Sequence, residues 1–254
     1  MTYCVGLRLD RGLVMMADTR TTSGVDNVST YRKMFTFFEE GDRIITILTS
    51  GNLGTTQALI STLEERSKLP ENREPSIMSA PTMFQVATIV GSTLRSIIES
   101  TTGGGATAAG PFGASLIVSG QIGSMEPKMY LVYPEGNFVE TSSDTQFLQI
   151  GETKYGRPIL VRAYDPTLSF EDAIKLLMVS FDSTIKANLS VGFPLDVQVY
   201  EADSLRAPVE FRVEESDPYW RGVSDSWGLS LKKSLEELEP FALPDSQFQA
   251  RTWL

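Results

Sequence analysis

The stretch Thr2-Tyr3-Cys4-Val5-Gly6-Leu7-Arg8-Leu9-Asp10-Arg11-Gly12-Leu13-Val14-Met15-Met16-Ala17-Asp18 decides how this chain folds. Tyr3, Val5, Leu7 and Leu9 alternate onto one face, Asp10-Arg11-Gly12 makes a tight turn, and the apolar run Leu13–Ala17 ends on the carboxylate of Asp18. Two such runs about an Asp/Gly turn predict a β-hairpin. With Leu9 opposite Leu13, Asp18 lies opposite Cys4 and Thr2 opposite Arg20, and residues opposite one another in an antiparallel pair share a face. A bulge in the turn shifts that register by one. In the unshifted register a carboxylate stands next to a hydroxyl residue that follows Met1.

Outward from the hairpin, the polar residues 19–30 read as a loop. Lys33 to Phe38 and Arg43 to Ser50 read as strands around Glu39-Glu40-Gly41-Asp42. Ser50-Gly51-Asn52 opens a helix to about Lys68, and Pro70 to Pro81 reads as a linker. A second helix, about Thr82 to Glu99, carries Met83, Val86, Val90, Leu94 and Ile97 at helical spacing. After the glycine-rich run 103–113 come strands at Ala114–Ser119, Lys128–Tyr133, Asn137–Thr141 and Phe147–Ile150. A short helix follows over Thr153–Ala163. Ser169, with Asp172 three residues on, caps a strongly amphipathic helix. Strands at Leu195–Glu201 and Val209–Val213 precede a last helix, about Gly222–Glu239, with Val223, Trp227, Leu231, Leu235 and Leu238 expected inward. This order predicts an α+β chain: two mainly antiparallel sheets face to face with helices outside, a four-layer αββα sandwich. Residues 1–239 form a single domain in this reading. The tail 240–254, with Phe241, Leu243, Phe248, Trp253 and Leu254 at no regular spacing, needs its own domain or a neighbouring subunit to lie on.

Composition narrows the chemistry. The 254 residues are 41% hydrophobic, enough for a substantial core, and no apolar run reaches membrane-span length. The N-terminus is a strand pattern rather than a secretory signal. The single cysteine, Cys4, excludes an intrachain disulfide framework and suits a reducing, cytoplasmic setting. A net charge of −10 argues against nucleic acid or an anionic membrane as partner. Histidine is absent, so no Ser-His-Asp or Cys-His site and no His-ligated metal can exist in this chain. A hydrolase built from these residues takes its base from a carboxylate, a lysine or a free α-amine.

Several motifs dissolve on inspection. Gly103-x-Gly105-x-x-Ala108 loosely fits a dinucleotide fingerprint, but it follows a helix and precedes a strand, the reverse of what phosphate binding needs. Ser230-Leu231-Lys232-Lys233 lacks the partners of a penicillin-recognising site. Cys4, inside a strand, reads as a small core residue. Asp18 alone is a strand-end carboxylate and Lys33 alone a surface lysine. With Thr2 and no histidine, they form a different combination. Loss of Met1, ordinary before a residue as small as threonine, exposes a hydroxyl and an α-amine of pKa about 8 on one residue. That amine is a base that needs no other side chain.

The ordered set Thr2-Tyr3-Cys4-Val5-Gly6, Asp10-x-Gly12, Ala17-Asp18-x-Arg20, Tyr31-Arg32-Lys33-Met34, Thr49-Ser50-Gly51-Asn52 and Ile150-Gly151-Glu152-x-Lys154-Tyr155-Gly156 resembles the proteasome β-subunit family of N-terminal-nucleophile hydrolases. It is most similar to the bacterial Anbu branch, the ancestral β-subunit proteins. The resemblance implies Thr2 as nucleophile, Lys33 beside its hydroxyl, Asp18 holding Lys33, the Gly51 N–H as oxyanion donor, and Ser190 near the amine. Arg20, Glu152 and Asn188 are possible supporting residues, Asn188 standing where the family has an aspartate. By position, Tyr31, Phe35, Thr49 and Leu53 line the substrate pocket.

One departure concerns the family's Gly-Ser-Gly turn, which here reads Gly151-Glu152-Thr153. A carboxylate there either keeps the amine protonated or holds it in position. The resemblance implies a cytoplasmic threonine-type endopeptidase with no cofactor or metal, self-assembled in a ring or open spiral and acting on peptides or proteins. The rival readings are a weakly active or inactive scaffold, and an amidase acting on small amides or peptide tags.

Overall fold

The computed structural model describes residues 2–23, 27–68, 75–102 and 110–241. Met1, most of the glycine run 103–113, the first part of the predicted linker (70–74) and the tail beyond Phe241 lie outside the described residues. The opening hairpin forms from β1 (Tyr3–Leu9) and β2 (Gly12–Asp18). Its register is one residue from the expected one: Leu9 pairs with Gly12 and Cys4 with Ala17. The turn is therefore the two residues Asp10-Arg11, a loop length whose twist matches that of its strands. Asp18 is not opposite Cys4, and Thr2 is not opposite Arg20. The alternation predicted for β1 survives the shift, but β2 is turned over relative to it. Tyr3, Val5, Leu7 and Leu9 face one side with Val14 and Met16, while Cys4, Leu13, Met15 and Ala17 face the other.

Residues 19–30, expected as a loop, instead contain a second hairpin, β3 (Arg20–Ser23) and β4 (Asn27–Thr30). Threonine favours extended backbone, but this two-stranded ribbon has no apolar stripe by which the sequence could reveal it. Next come β5 (Met34–Glu39), β6 (Arg43–Gly51), α1 (Leu53–Lys68), α2 (Met83–Thr102), β7 (Ala114–Ile122), β8 (Lys128–Val132), β9 (Phe138–Glu140) and β10 (Phe147–Gly151). The chain continues through α3 (Arg157–Ala163), α4 (Phe170–Ala187), β11 (Leu195–Glu201), β12 (Val209–Val213) and α5 (Pro218–Glu236).

The strands form two five-stranded sheets, ordered β10-β1-β2-β11-β12 and β5-β6-β7-β8-β9, with every described pairing antiparallel. Three apolar clusters follow from period-2 alternation on strands that are covered on both sides. Ile45 and Ile47 of β6 pack outward under Leu59 and Leu63 of α1 and Val86, Val90 and Leu94 of α2. Val5, Met16 and Val197 pack under Leu177 and Phe181 of α4. Between the sheets Cys4, Met15 and Ile150 meet Ile44, Leu48, Ile117 and Met129. This is the predicted αββα sandwich.

α4 begins as expected: the Ser169 hydroxyl accepts the Asp172 N–H at 3.0 Å. α5 does not follow its prediction. It starts four residues earlier, because Asp217 accepts the N–H groups of Tyr219 and Trp220 at 2.8 and 3.0 Å with Pro218 in the first turn. Trp220 is its buried residue, whereas Leu231, Leu235 and Leu238, expected inward, are 51%, 71% and 66% exposed.

The sheets are also tied by polar atoms. Thr46 on β6 donates to Gln198 Oε1 on β11 at 2.6 Å, and Gln198 Nε2 donates to Thr36 and Glu210 at 2.7 and 2.8 Å. Gln198 and Thr46 are both buried. Thr46→Val keeps the shape and strands the amide oxygen, so it should cost about 1–3 kcal/mol. Urea unfolding of the two proteins measures this, and an unchanged midpoint would remove the tie from the account of stability.

Candidate active site

Thr2 is the half-buried residue that leads into β1, and its main chain is fixed on both sides. Its carbonyl accepts the Glu152 N–H at 2.7 Å. The next amide, of Tyr3, donates to Asp18 Oδ1 at 3.0 Å. The Tyr3 ring packs against Phe181 with centroids 4.6 Å apart, and its phenol shares a hydrogen bond with Ser180 at 2.7 Å and accepts from Gln149 at 2.6 Å. Burial pushes that phenol up to about 12, so it stays protonated and bonded. The start of the chain is thus mounted on a rigid strand.

Asp18 is fully buried at the end of β2 and accepts three donors. Lys33 Nζ donates to Oδ1 at 2.7 Å beside the Tyr3 amide, and the Gly192 N–H donates to Oδ2 at 3.3 Å. Burial drives the Asp18 carboxyl up from its ordinary value, and the Lys33 ammonium and the two amides pull the other way. Lys33, itself buried, also donates to the Arg20 carbonyl at 2.5 Å. Its ammonium is held between two acceptors where the chain passes from the β3–β4 hairpin into β5. A cation so placed lowers the cost of ionising a nearby hydroxyl.

Thr2 and Lys33 open onto one cleft of about 310 Å³. Thr49, Ser50, Gly51, Gly151, Thr21 and Arg32 line it with Leu53 and Thr56 of α1. Gly51 and Gly151 both require conformations closed to other residues. Gly51 has φ +112°, and a Cβ there would stand 2.4 Å from the Gly113 carbonyl oxygen; Gly151 has φ +85°, and a Cβ would stand 1.9 Å from the Thr2 carbonyl oxygen. Directly after Gly51, Asn52 accepts the Thr55 N–H at 3.0 Å and so caps α1, whose N-terminal end adjoins the cleft.

Glu152, 6% exposed, accepts from Asn188 Nδ2 at 3.0 Å. Asn188 Oδ1 in turn accepts the Ser190 hydroxyl at 2.6 Å and its amide at 3.0 Å. Glu152, Asn188 and Ser190 therefore form one relay that reaches the Thr2 main chain through the Glu152 amide. Arg20 lies behind it, donating to the Leu189 carbonyl at 3.0 Å, with its guanidinium in the space left by Gly192.

Of the pocket residues assigned by position, Thr49 and Leu53 line the cleft and two do not. Phe35 packs against the cluster under α1 and α2, and Tyr31 is exposed with its amide on the Thr19 carbonyl at 2.9 Å. Alternation explains Phe35: it sits opposite Ile47, which points outward. The sequence reading passed over Thr21, Arg32, Ser50, Thr56 and Gly151. Ser50 and Gly151 stood inside the motifs already singled out, and Arg32 stood next to Lys33. Cys4 is no part of the cleft chemistry, since it is buried between the sheets with its thiol donating to the Thr49 carbonyl at 3.7 Å, and burial raises its pKa. Gly151→Ala should destabilise the protein by about 2 kcal/mol or more and displace Thr2. Thermal unfolding reads the first effect and the environment of Tyr3 by NMR the second; a wild-type midpoint would refute the contact.

Comparison with known proteins identifies the family and its fold. The sequence model of the family described as "Proteasome subunit" matches residues 2–199. The proteasome subunit beta of Methanopyrus kandleri is 25% identical over 191 residues, 75% of this chain and 82% of its own length. The structure of Anbu (ancestral beta-subunit) from Yersinia bercovieri superposes with a TM-score of 0.88 at 37% identity, covering 95% of this chain and all of the other. An Anbu (Gly-1) mutant from Hyphomicrobium sp. strain MC1 gives 0.88 at 40% identity, over 96% of this chain and all of the other. The Anbu complex from Pseudomonas aeruginosa, described as a helical assembly, gives 0.87 at 38%, over 97% of this chain and all of its own. The chain belongs to the proteasome-subunit family, in its Anbu branch.

Proposed function

We propose that this chain is a cytoplasmic threonine-type peptidase whose nucleophile is the hydroxyl of Thr2 once Met1 has been removed. The observation that carries this reading is the shared cleft: Thr2, Gly51 and the ammonium of a lysine pinned by a buried aspartate open onto one space. The family match, which begins at residue 2, supports it. In this mechanism the Thr2 hydroxyl attacks the peptide carbonyl carbon as its proton passes to the Thr2 α-amine. Lys33 stabilises the developing alkoxide, and the Gly51 N–H receives the carbonyl oxygen as it becomes negative. The C–N bond breaks, the leaving amine takes the proton, and an ester to Thr2 remains. A water then gives its proton to the α-amine, attacks the ester carbon and frees Thr2. Asp18 acts as the positioning residue for Lys33, and Ser190 and Asn188 orient the amine through Glu152.

Glu152 favours a second reading, an assembly with little turnover. A buried carboxylate on the residue whose amide binds the Thr2 carbonyl would hold the α-amine as an ammonium and weaken it as a base. Self-association is part of both readings. It is supported by the exposed leucines of α5 and by the helical assembly of the Pseudomonas aeruginosa relative. No described helix is long and apolar enough to cross a membrane.

Thr2→Ala should lower peptide turnover at least about a thousandfold with an unchanged unfolding midpoint. Intact mass should show the wild-type chain lighter by one methionine residue. Retained Met1, or undiminished turnover in Thr2→Ala, would reject the nucleophile. A processed chain that no threonine-directed electrophile labels would favour the scaffold. Replacing Leu231 and Leu235 together by Glu should shift light-scattering mass to a smaller species with the circular dichroism preserved; an unchanged mass would remove α5 from the contact surface.

A further inference from the structure

Charge around the cleft is unevenly satisfied. Lys33 spends its charge on buried Asp18 at 2.7 Å. Glu152 is buried and accepts from Asn188. No Asp or Glu is among the residues that line the cleft. Arg32 lines it and is exposed, and among the described residues it has neither an ion-pair nor a hydrogen-bond partner. Arg32 also borders an adjoining crevice of about 270 Å³ that holds Asp196, Glu210 and Arg212. Of the carboxylates there, Asp196 is ion-paired with Arg212 at 2.7 and 3.2 Å, while Glu210 accepts from the neutral hydroxyl of Thr36 and the neutral amide of Gln198 at 2.6 and 2.8 Å and so keeps its charge. In a chain with 32 acidic and 22 basic residues, the cleft beside Thr2 thus carries a guanidinium that is in no ion pair among the described residues, with Glu210 in the adjoining crevice as the carboxylate a substrate must compete with. The adjoining end of α1, with no acidic residue in its first turn, adds to the positive potential.

We propose that Arg32 makes the cleft select peptides with an acidic side chain in the residue that supplies the acyl group. This rests on the peptidase reading for the meaning of "acyl group". The acyl part stays joined to Thr2 after the amine has left, so its side chain is the one that must be housed in the cleft. A guanidinium offers a carboxylate two parallel N–H donors, which a neutral amide of the same shape cannot match in charge. Partial exposure makes the preference dependent on salt.

The test measures binding on the Thr2→Ala chain, so it is independent of turnover. Three N-acetylated tetrapeptide amides ending in Glu, Gln or Lys are titrated by calorimetry. The Glu peptide should bind about tenfold more tightly than the Gln peptide, and the Lys peptide most weakly. Arg32→Gln should reduce the Glu/Gln ratio to less than about twofold, Arg32→Glu should invert the Glu/Lys order, and Arg32→Lys should restore part of the preference. Higher salt should narrow the Glu/Gln ratio. A Glu/Gln ratio near one, a ratio unchanged in Arg32→Gln, or no binding by any of the three at millimolar concentration would overturn the proposal. If the Glu preference held while Thr2 proved not to be the nucleophile, the cleft would stand as an acidic-peptide site and the peptidase reading alone would fall.

Discussion

A carboxylate with no exposed surface has to be matched by donors, and the matching of Asp18 organises the cleft end of this sandwich. Its three donors come from three places distant in sequence: the first strand at Tyr3, the segment before β5 at Lys33, and the loop before β11 at Gly192. An unpaired charge in that position would be several kcal/mol unfavourable, so the three segments are bound to converge. Thr2 inherits its place from that convergence, as does the ammonium. The cleft is therefore a by-product of satisfying one buried group, with Thr2 and Lys33 arranged around it.

The sandwich supplies the rest. β1 and β2 are covered on both faces, by α4 on one side and the other sheet on the other, and so are close to immobile. β6 ends at Gly51 and turns at once into α1, which brings a strand end, a helix N-terminus and the start of β1 to the same edge. β10 ends on the cleft at Gly151, where the chain passes too near the Thr2 carbonyl for any side chain. Two glycines and one aspartate thus bring Thr2, the Lys33 ammonium and the start of α1 to one cleft without a titrating ring.

Much of this was readable from residue pattern. β11 and β12 fall where alternation places them, to the residue, and the face formed by Tyr3, Val5, Leu7 and Leu9 on β1 is that of the sequence, whereas the facing of β2 is the reverse of the expected one. The misses have separate physical causes. The hairpin register depends on whether Gly12 belongs to the turn or to the strand, and alternation on one strand cannot decide that. The β3–β4 ribbon has no apolar stripe, so periodicity is silent about it. α5 carried the expected stripe, but a helical stripe reports that a surface wants cover, not which surface covers it. Its true start was also written in Asp217-Pro218, a cap followed by a proline in the first turn. At the cleft, the residues named through the resemblance, Thr2, Lys33 and Gly51, are brought together with Asp18 behind Lys33, whereas the lack of a partner for Arg32 is visible only in three dimensions.

The anchors that hold residue 2 involve its carbonyl, the following amide and the aromatic ring after that; none draws on the side chain of residue 2 itself. Address and chemistry are thereby separated. The scaffold defines a fixed socket for whatever group the first position carries, much as a tool holder is indifferent to the bit. Serine or cysteine introduced there would occupy the same point in space, and the comparison of oxygen with sulfur, or of a methylated with a bare hydroxymethyl group, would report on intrinsic reactivity with geometry held constant.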